Sequence, residues 1–251
     1  MSLFGNLTND GLEESQDRVG GFRIYESDAY PGTIKMMYAG QSPKNPKAAN
    51  ITVILDLDAG GTYSEEIYVT NKNGENFYVD KNDGKKKPLP GFTTIDDICQ
   101  MTIGKGLAGA QFEQKVVNIY DREQGKELPT SVQVCVEALG QKVTLGIIKQ
   151  KEDKMKRDGD NLVLNGTRDV NFIDKVFHVP SNLTVVEARN KIQQAKFYGV
   201  WVEANKGKVK DKSTGGASNG GQNGRPGRPN TPPQANGAAP RTNSLFGNAG
   251  N

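Results

Sequence analysis

The chain has 251 residues, two cysteines and a formal net charge of +3, long enough for one sizeable core. Apolar residues make up 35% and glycines number 30, so an ordinary domain is diluted by polar, Gly-rich segments. No run approaches the roughly 18 apolar residues that span a bilayer, and no basic-then-apolar leader opens the chain. Cys99 and Cys135 read as reduced, buried side chains of a cytoplasmic protein.

Charge is unevenly spread. After Asn205, Lys206, Lys208, Lys210, Lys212, Arg225, Arg228 and Arg241 face a single acid, Asp211. The rest is mildly acidic, so local clustering, and not whole-chain charge, carries any case for a polyanionic partner.

In chain order, residues 1–20 read as a polar N-terminal arm, 21–205 as the folded domain, and 206–251 as a disordered basic Gly/Asn/Pro-rich tail. That tail has too few apolar residues to offset its ordering entropy. Within the domain, Arg23–Ser27, Thr33–Ala39 and Ile51–Leu57 are expected strands, the last being the strongest apolar run. Glu66–Thr70 and Asn76–Asp80 follow, with Asn73-Gly74 between them as a hairpin turn and Lys81-Asn82-Asp83-Gly84 as a second turn. Thr94 with Asp97 is expected to cap a helix to about Thr102, with Ile95, Ile98 and Met101 as its buried stripe. Gln114–Tyr120, Val132–Leu139 and Val143–Lys149 form a second strand cluster. Asn161–Leu164 and Phe197–Val202 are candidate edge strands, and Thr184 with Glu187 caps a second helix through Gln194. Many short strands, Gly-rich turns and one or two short helices point to an all-β fold, a small barrel or sandwich.

Chemistry is sparse. His178 is the sole histidine, and no G-x-S-x-G elbow marks a nucleophile. Cys99, Cys135 and His178 are too scattered to read as a metal site. Asp56 and Asp58 share one side of a strand, as in two-metal nucleases, but they also read as solvated strand-end acids before Gly60-Gly61. Gly104-Lys105-Gly106 lacks the spacing and the Ser or Thr of a phosphate loop. Catalytic residues, metal and cofactor are therefore not expected.

Aromatics among lysines are the stronger signal, because aromatic rings stack on any base and lysines neutralise phosphates. Tyr68, Phe77 and Tyr78 lie near Lys72, Lys81, Lys85, Lys86 and Lys87, with Tyr38, Lys149 and Lys151 as weaker additions. A two-residue Asn73-Gly74 loop would pair Val69 with Tyr78. Each face of that hairpin mixes core and stacking candidates, so the pattern leaves its orientation open. Ser2-Leu3-Phe4-Gly5-Asn6 recurs as Ser244-Leu245-Phe246-Gly247-Asn248. Leu3, Phe4, Leu245 and Phe246 form a small apolar hook at each end, suited to a neighbouring subunit or a partner.

The terminal SLFGN motifs, the β-rich body, the lysine-bearing hairpin and the polar tail together resemble the single-stranded DNA-binding proteins of tailed bacteriophages. That resemblance implies an OB-fold-like β-barrel, sequence-independent binding and protection of single-stranded DNA during replication and recombination, and phage replication proteins as partners. The tail departs from the acidic tails of better-known members. The alternative is a structural or protein-interaction β-sandwich module that binds no DNA and uses its sheet and arms for subunit contacts.

Overall fold

The computed structural model describes residues 23–121, 124–159 and 161–214. The terminal hooks with Leu3, Phe4, Leu245 and Phe246, the 1–20 arm and the tail beyond Thr214 lie outside them. The strands are β1 (Asp28–Ser42), β2 (Asn45–Leu57), β3 (Thr62–Tyr68), β4 (Phe77–Val79), β5 (Lys86–Pro88), β6 (Phe112–Asp121), β7 (Lys126–Cys135), β8 (Lys142–Asp158), β9 (Asn161–His178) and β10 (Val209–Asp211). The helices are α1 (Pro90–Ile103), α2 (Val185–Arg189) and α3 (Phe197–Asn205).

One eight-stranded sheet runs β10-β8-β1-β2-β3, with β9 on β8 and the β6–β7 pair attached through β7 to β1. The other sheet is the β4–β5 ribbon. Long β1 holds the large sheet together. One of its edges pairs with β2; on the other, Asp28–Thr33 pairs with β8, and Tyr38 and Ala39 pair with Val134 and Gln133 of β7. A register shift between Ile34 and Met36 breaks the alternation, so Ile34 and Met37, three apart, are both fully buried.

The sheet does not close. Among the described residues no ladder joins β3 at one end to β9 or β10 at the other. The expected OB-type barrel is therefore corrected to an open, mostly β fold with three helices. Where the β3 and β9 edges meet, a side chain bridges them: Glu65 Oε2 accepts from the Ile173 N–H at 2.8 Å and from the Tyr63 hydroxyl at 2.7 Å. A carboxylate supplies the bond there that a closing strand pair would have made.

The core lies on both faces of β8 and β9. Ile147 and Val176 belong to the main cluster with Ile34, Leu55, Ile95 and Ile98, while their neighbours Ile148 and Phe177 belong to a second cluster with Trp201. Successive strand residues point to opposite faces, so α1 covers one face and α3 the other. Double coverage explains the unbroken buried run Val143–Ile148, which lacks the alternation of a half-exposed strand. Trp201 comes so close that a Cβ on Gly146 would sit 2.9 Å from its ring, and its Nε1–H donates to Asp174 Oδ2 at 2.8 Å.

Several local expectations change for physical reasons. Helix α1 starts at Pro90, whose missing N–H is no loss at a first helical position, and not at a Thr94 cap. It docks tightly on β3, where a Cβ on Gly91 would lie 2.2 Å from the Tyr68 carbonyl. Its stripe is as expected, with Ile95, Ile98 and Met101 buried. The Thr184–Glu187 capping box forms in full, but α2 ends at Arg189. Phe197–Val202, expected as a strand, is helical because Phe197 and Trp201 lie one turn apart on a face that packs on β8 and β9. Arg23–Glu26, the bulk of an expected strand, has no regular structure.

Among the described residues no helix is long and apolar enough to cross a membrane.

Candidate interaction surface

The aromatics and lysines singled out above fall on separate elements. Asn73-Gly74 does form a turn: Asn71 Oδ1 accepts from the N–H groups of Asn73 and Glu75, and Gly74 takes a positive φ of 87°. Yet its flanks do not pair with each other. Tyr68 pairs with Asn50 of β2, and Tyr78 pairs with Lys87 of β5 across the second turn, so the expected Val69–Tyr78 register is absent. Tyr68 and Tyr78 are exposed, whereas Tyr38 is half-buried in β1, opposite Thr52 and Val134. The Lys86 ammonium lies 4.2 Å from the Phe77 ring centroid and covers one face of that ring.

The lysines differ in how far they are committed. Lys72, Lys81, Lys85 and Lys86 are exposed. Lys87 pairs with Asp80 and Asp83, and its hydrogen bond to Asp80 holds the ammonium pKa above its ordinary value and the carboxyl pKa below. Lys149 pairs with Glu26 at 2.8 Å and with Asp169 at 3.6 Å, and the hydrogen bond to Glu26 raises its pKa. Lys151 lies opposite Asp211 of β10. With no barrel groove to carry a strand and two of the phosphate candidates already paired with carboxylates, the single-stranded DNA coat expected from the phage-protein resemblance is corrected, and the resemblance with it.

The groups considered for catalysis are also engaged. Asp56 accepts from the Thr62 hydroxyl and pairs with Lys35, and Asp58 pairs with Lys142. His178 Nδ1 lies 2.8 Å from Ser181 Oγ, and burial lowers its pKa. Cys99 and Cys135 are free and buried, and burial raises the pKa of both thiols, which makes them poor nucleophiles.

What stands out is a feature the residue pattern did not show. Past Lys151, its last residue paired with β10, and Asp153, whose carboxylate accepts from Thr214, strand β8 continues to Asp158 with β9 alone beside it. Residues 154–158 and 161–169 are exposed throughout, so this is a two-stranded arm with solvent on both faces. Directly opposed residues share a face. Met155 faces Leu164 and Arg157 faces Leu162 on one side; Lys156 faces Val163 on the other. Met155, Leu162 and Leu164 are 50%, 66% and 53% exposed.

A second ribbon is held to β1 only through Val134 and Gln133 and runs out to Asp121 and Lys126. Val117, Ile119, Leu128 and Val132 lie half-buried along one of its faces, and Val116 and Tyr120 are exposed on the other. The apolar run Asn161–Leu164 was legible as a strand. Its partner, Lys149–Asp158, is so rich in charge that it reads as a loop, because a ribbon wet on both faces needs no alternation.

A scan against protein-family models finds no match, and a search of the curated proteins finds none either.

Proposed function

We propose that this chain is a non-enzymatic structural module that makes protein–protein contacts through its two hairpin arms. The observation that carries this reading is the row of exposed apolar side chains on the β8–β9 arm, Met155, Leu162 and Leu164. A two-stranded ribbon is at best marginally stable in water, and apolar side chains grouped on an exposed strand are a recurrent mark of an interaction surface. The engagement of Asp56, Asp58 and His178 in local bonds favours a structural role over a catalytic one. We place the protein in the cytoplasm, where its two buried thiols stay reduced.

The test is a fluorescence-anisotropy titration of the full chain against a labelled single strand of about 30 nucleotides at low and high salt. An interaction module leaves the anisotropy unchanged. Tight binding that weakens steeply with salt would overturn the reading.

A further inference from the structure

Asn161-Leu162-Val163-Leu164-Asn165 reads the same in both directions. The two strands of an antiparallel pair run in opposite directions. A strand with such a sequence, set against its own copy across a two-fold axis, therefore meets identical residue types at every step. This segment lies on β9, whose one ladder among the described residues is with β8, so its other edge carries no strand. Folded proteins usually guard such an edge with lysine, proline or a bulge. Asn161–Asn165 contains no charge and no proline, and the bulge of this arm, where Asn165 and Gly166 of β9 lie opposite Lys154 alone, comes at the end of the segment and leaves Leu162–Leu164 in regular register.

We infer that the β8–β9 arm is a self-association element that pairs antiparallel with the β9 edge of a second copy, centred on Val163. The inference rests on the interaction-module reading above and names the partner of that arm. In this register Val163 meets Val163 of the second copy, and Leu162 meets its Leu164. Because Met155 already lies opposite Leu164 and Arg157 opposite Leu162, the four strands carry two rows. Each row runs Met155, Leu164, then Leu162 and Arg157 of the second copy. Six apolar side chains become neighbours, and the two guanidinium groups end up at opposite corners. No charge faces a like charge across the new ladder. The shared edge is short against the roughly 800 Å² per partner of a standard interface, so the dimer is a reversible one, in the micromolar range or weaker.

Sedimentation velocity of the full chain from about 10 to 200 µM reads this directly. The wild type shifts from monomer toward dimer across that range. Leu162→Lys with Leu164→Lys sets lysine against lysine in both rows and weakens the dimer at least about tenfold. Leu162→Lys with Leu164→Glu restores it, because in the antiparallel register each lysine faces a glutamate. These side chains are exposed, and Trp201 emission confirms that each variant keeps its fold. A monomeric wild type, a double-lysine variant that dimerises undiminished, or a Lys/Glu variant as weak as the double-lysine one would each overturn the proposal. None of these results changes the oligonucleotide titration, so arm pairing can fail while the interaction-module reading stands.

Discussion

Glu65 is the residue on which local chemistry and fold meet most directly. It bridges the edges of β3 and β9, and burial raises its carboxyl pKa despite the hydrogen bonds from Tyr63 and Ile173, which favour the ionised form. A raised pKa means that the folded state binds the proton more tightly than the unfolded chain. Stability therefore falls as pH rises from the ordinary carboxylate range to the raised value, and is flat above it. Glu65→Gln keeps an acceptor for both donors and removes the charge. Urea denaturation should find this variant at least as stable as the wild type at pH 7, with the advantage shrinking as pH falls. Glu65→Ala instead strands a hydroxyl and a backbone N–H and should cost about 2–4 kcal/mol at neutral pH. If the glutamine variant is as unstable as the alanine one, the ionised carboxylate itself holds the seam.

Among the elements, the α2–α3 segment depends on a few polar bonds. The Thr184 hydroxyl accepts from the Glu187 N–H, and Glu187 accepts in return from the Thr184 N–H. Glu187 also accepts from the Lys196 and Phe197 N–H groups where α3 begins, so one carboxylate ties two helices together. Burial alone would raise its pKa, but these backbone donors prevail and lower it. The support it lends is present above the ordinary carboxylate range and lost as pH falls through the lowered value. Thr184→Ala should cost about 1 kcal/mol in thermal or urea unfolding.

Helix α3 is then seated by Trp201 against Gly146. Gly146→Ala forces the ring or the strand to shift and should cost about 1–3 kcal/mol, with a change in the emission of this single tryptophan. Unchanged emission and stability would mean that the seat is looser than the 2.9 Å approach implies. Below α1, a buried chain of bonds links the elements: the Leu107 N–H and Gln100 Nε2 donate to Asp96, and Arg189 donates to Gln100 Oε1. It fixes α2 against α1 through Asp96 and Gln100, both buried.

At the scale of the whole molecule, core and arms are separable. Most of the buried residues come from β1–β3, α1, α2, α3 and the base-proximal parts of β7, β8 and β9, whereas residues 154–158 and 161–169 are exposed. Replacing residues 154–166 by Asn-Gly should therefore leave the thermal midpoint within about 3 °C of the wild type. The same change should abolish dimer formation in sedimentation. A larger fall in the midpoint would make the arm a support of the core and not an appendage.

Many of the strand positions were legible because apolar residues in Ile51–Leu57 and Val143–Lys149, and turn residues at Gly84, Gly125 and Gly140, act locally. The capping box and the α1 stripe were legible for the same reason: each lies within one or two helical turns. The candidate surface was barely visible. Leu162 and Leu164 could be read as strand residues, but nothing in their neighbourhood says that the strand leaves the core.

By itself, then, the sequence determined the β-rich character, most strand positions, the α2 cap and the palindrome at Asn161–Asn165, all of which depend on residues close along the chain. Tertiary structure alone decided that β1 serves three partners, that the sheet stays open at Glu65, that Phe197–Asn205 is a helix and that Tyr78 pairs with Lys87. Those outcomes turn on which distant segment reaches a given edge or face first and buries it best, a competition that local spacing does not encode.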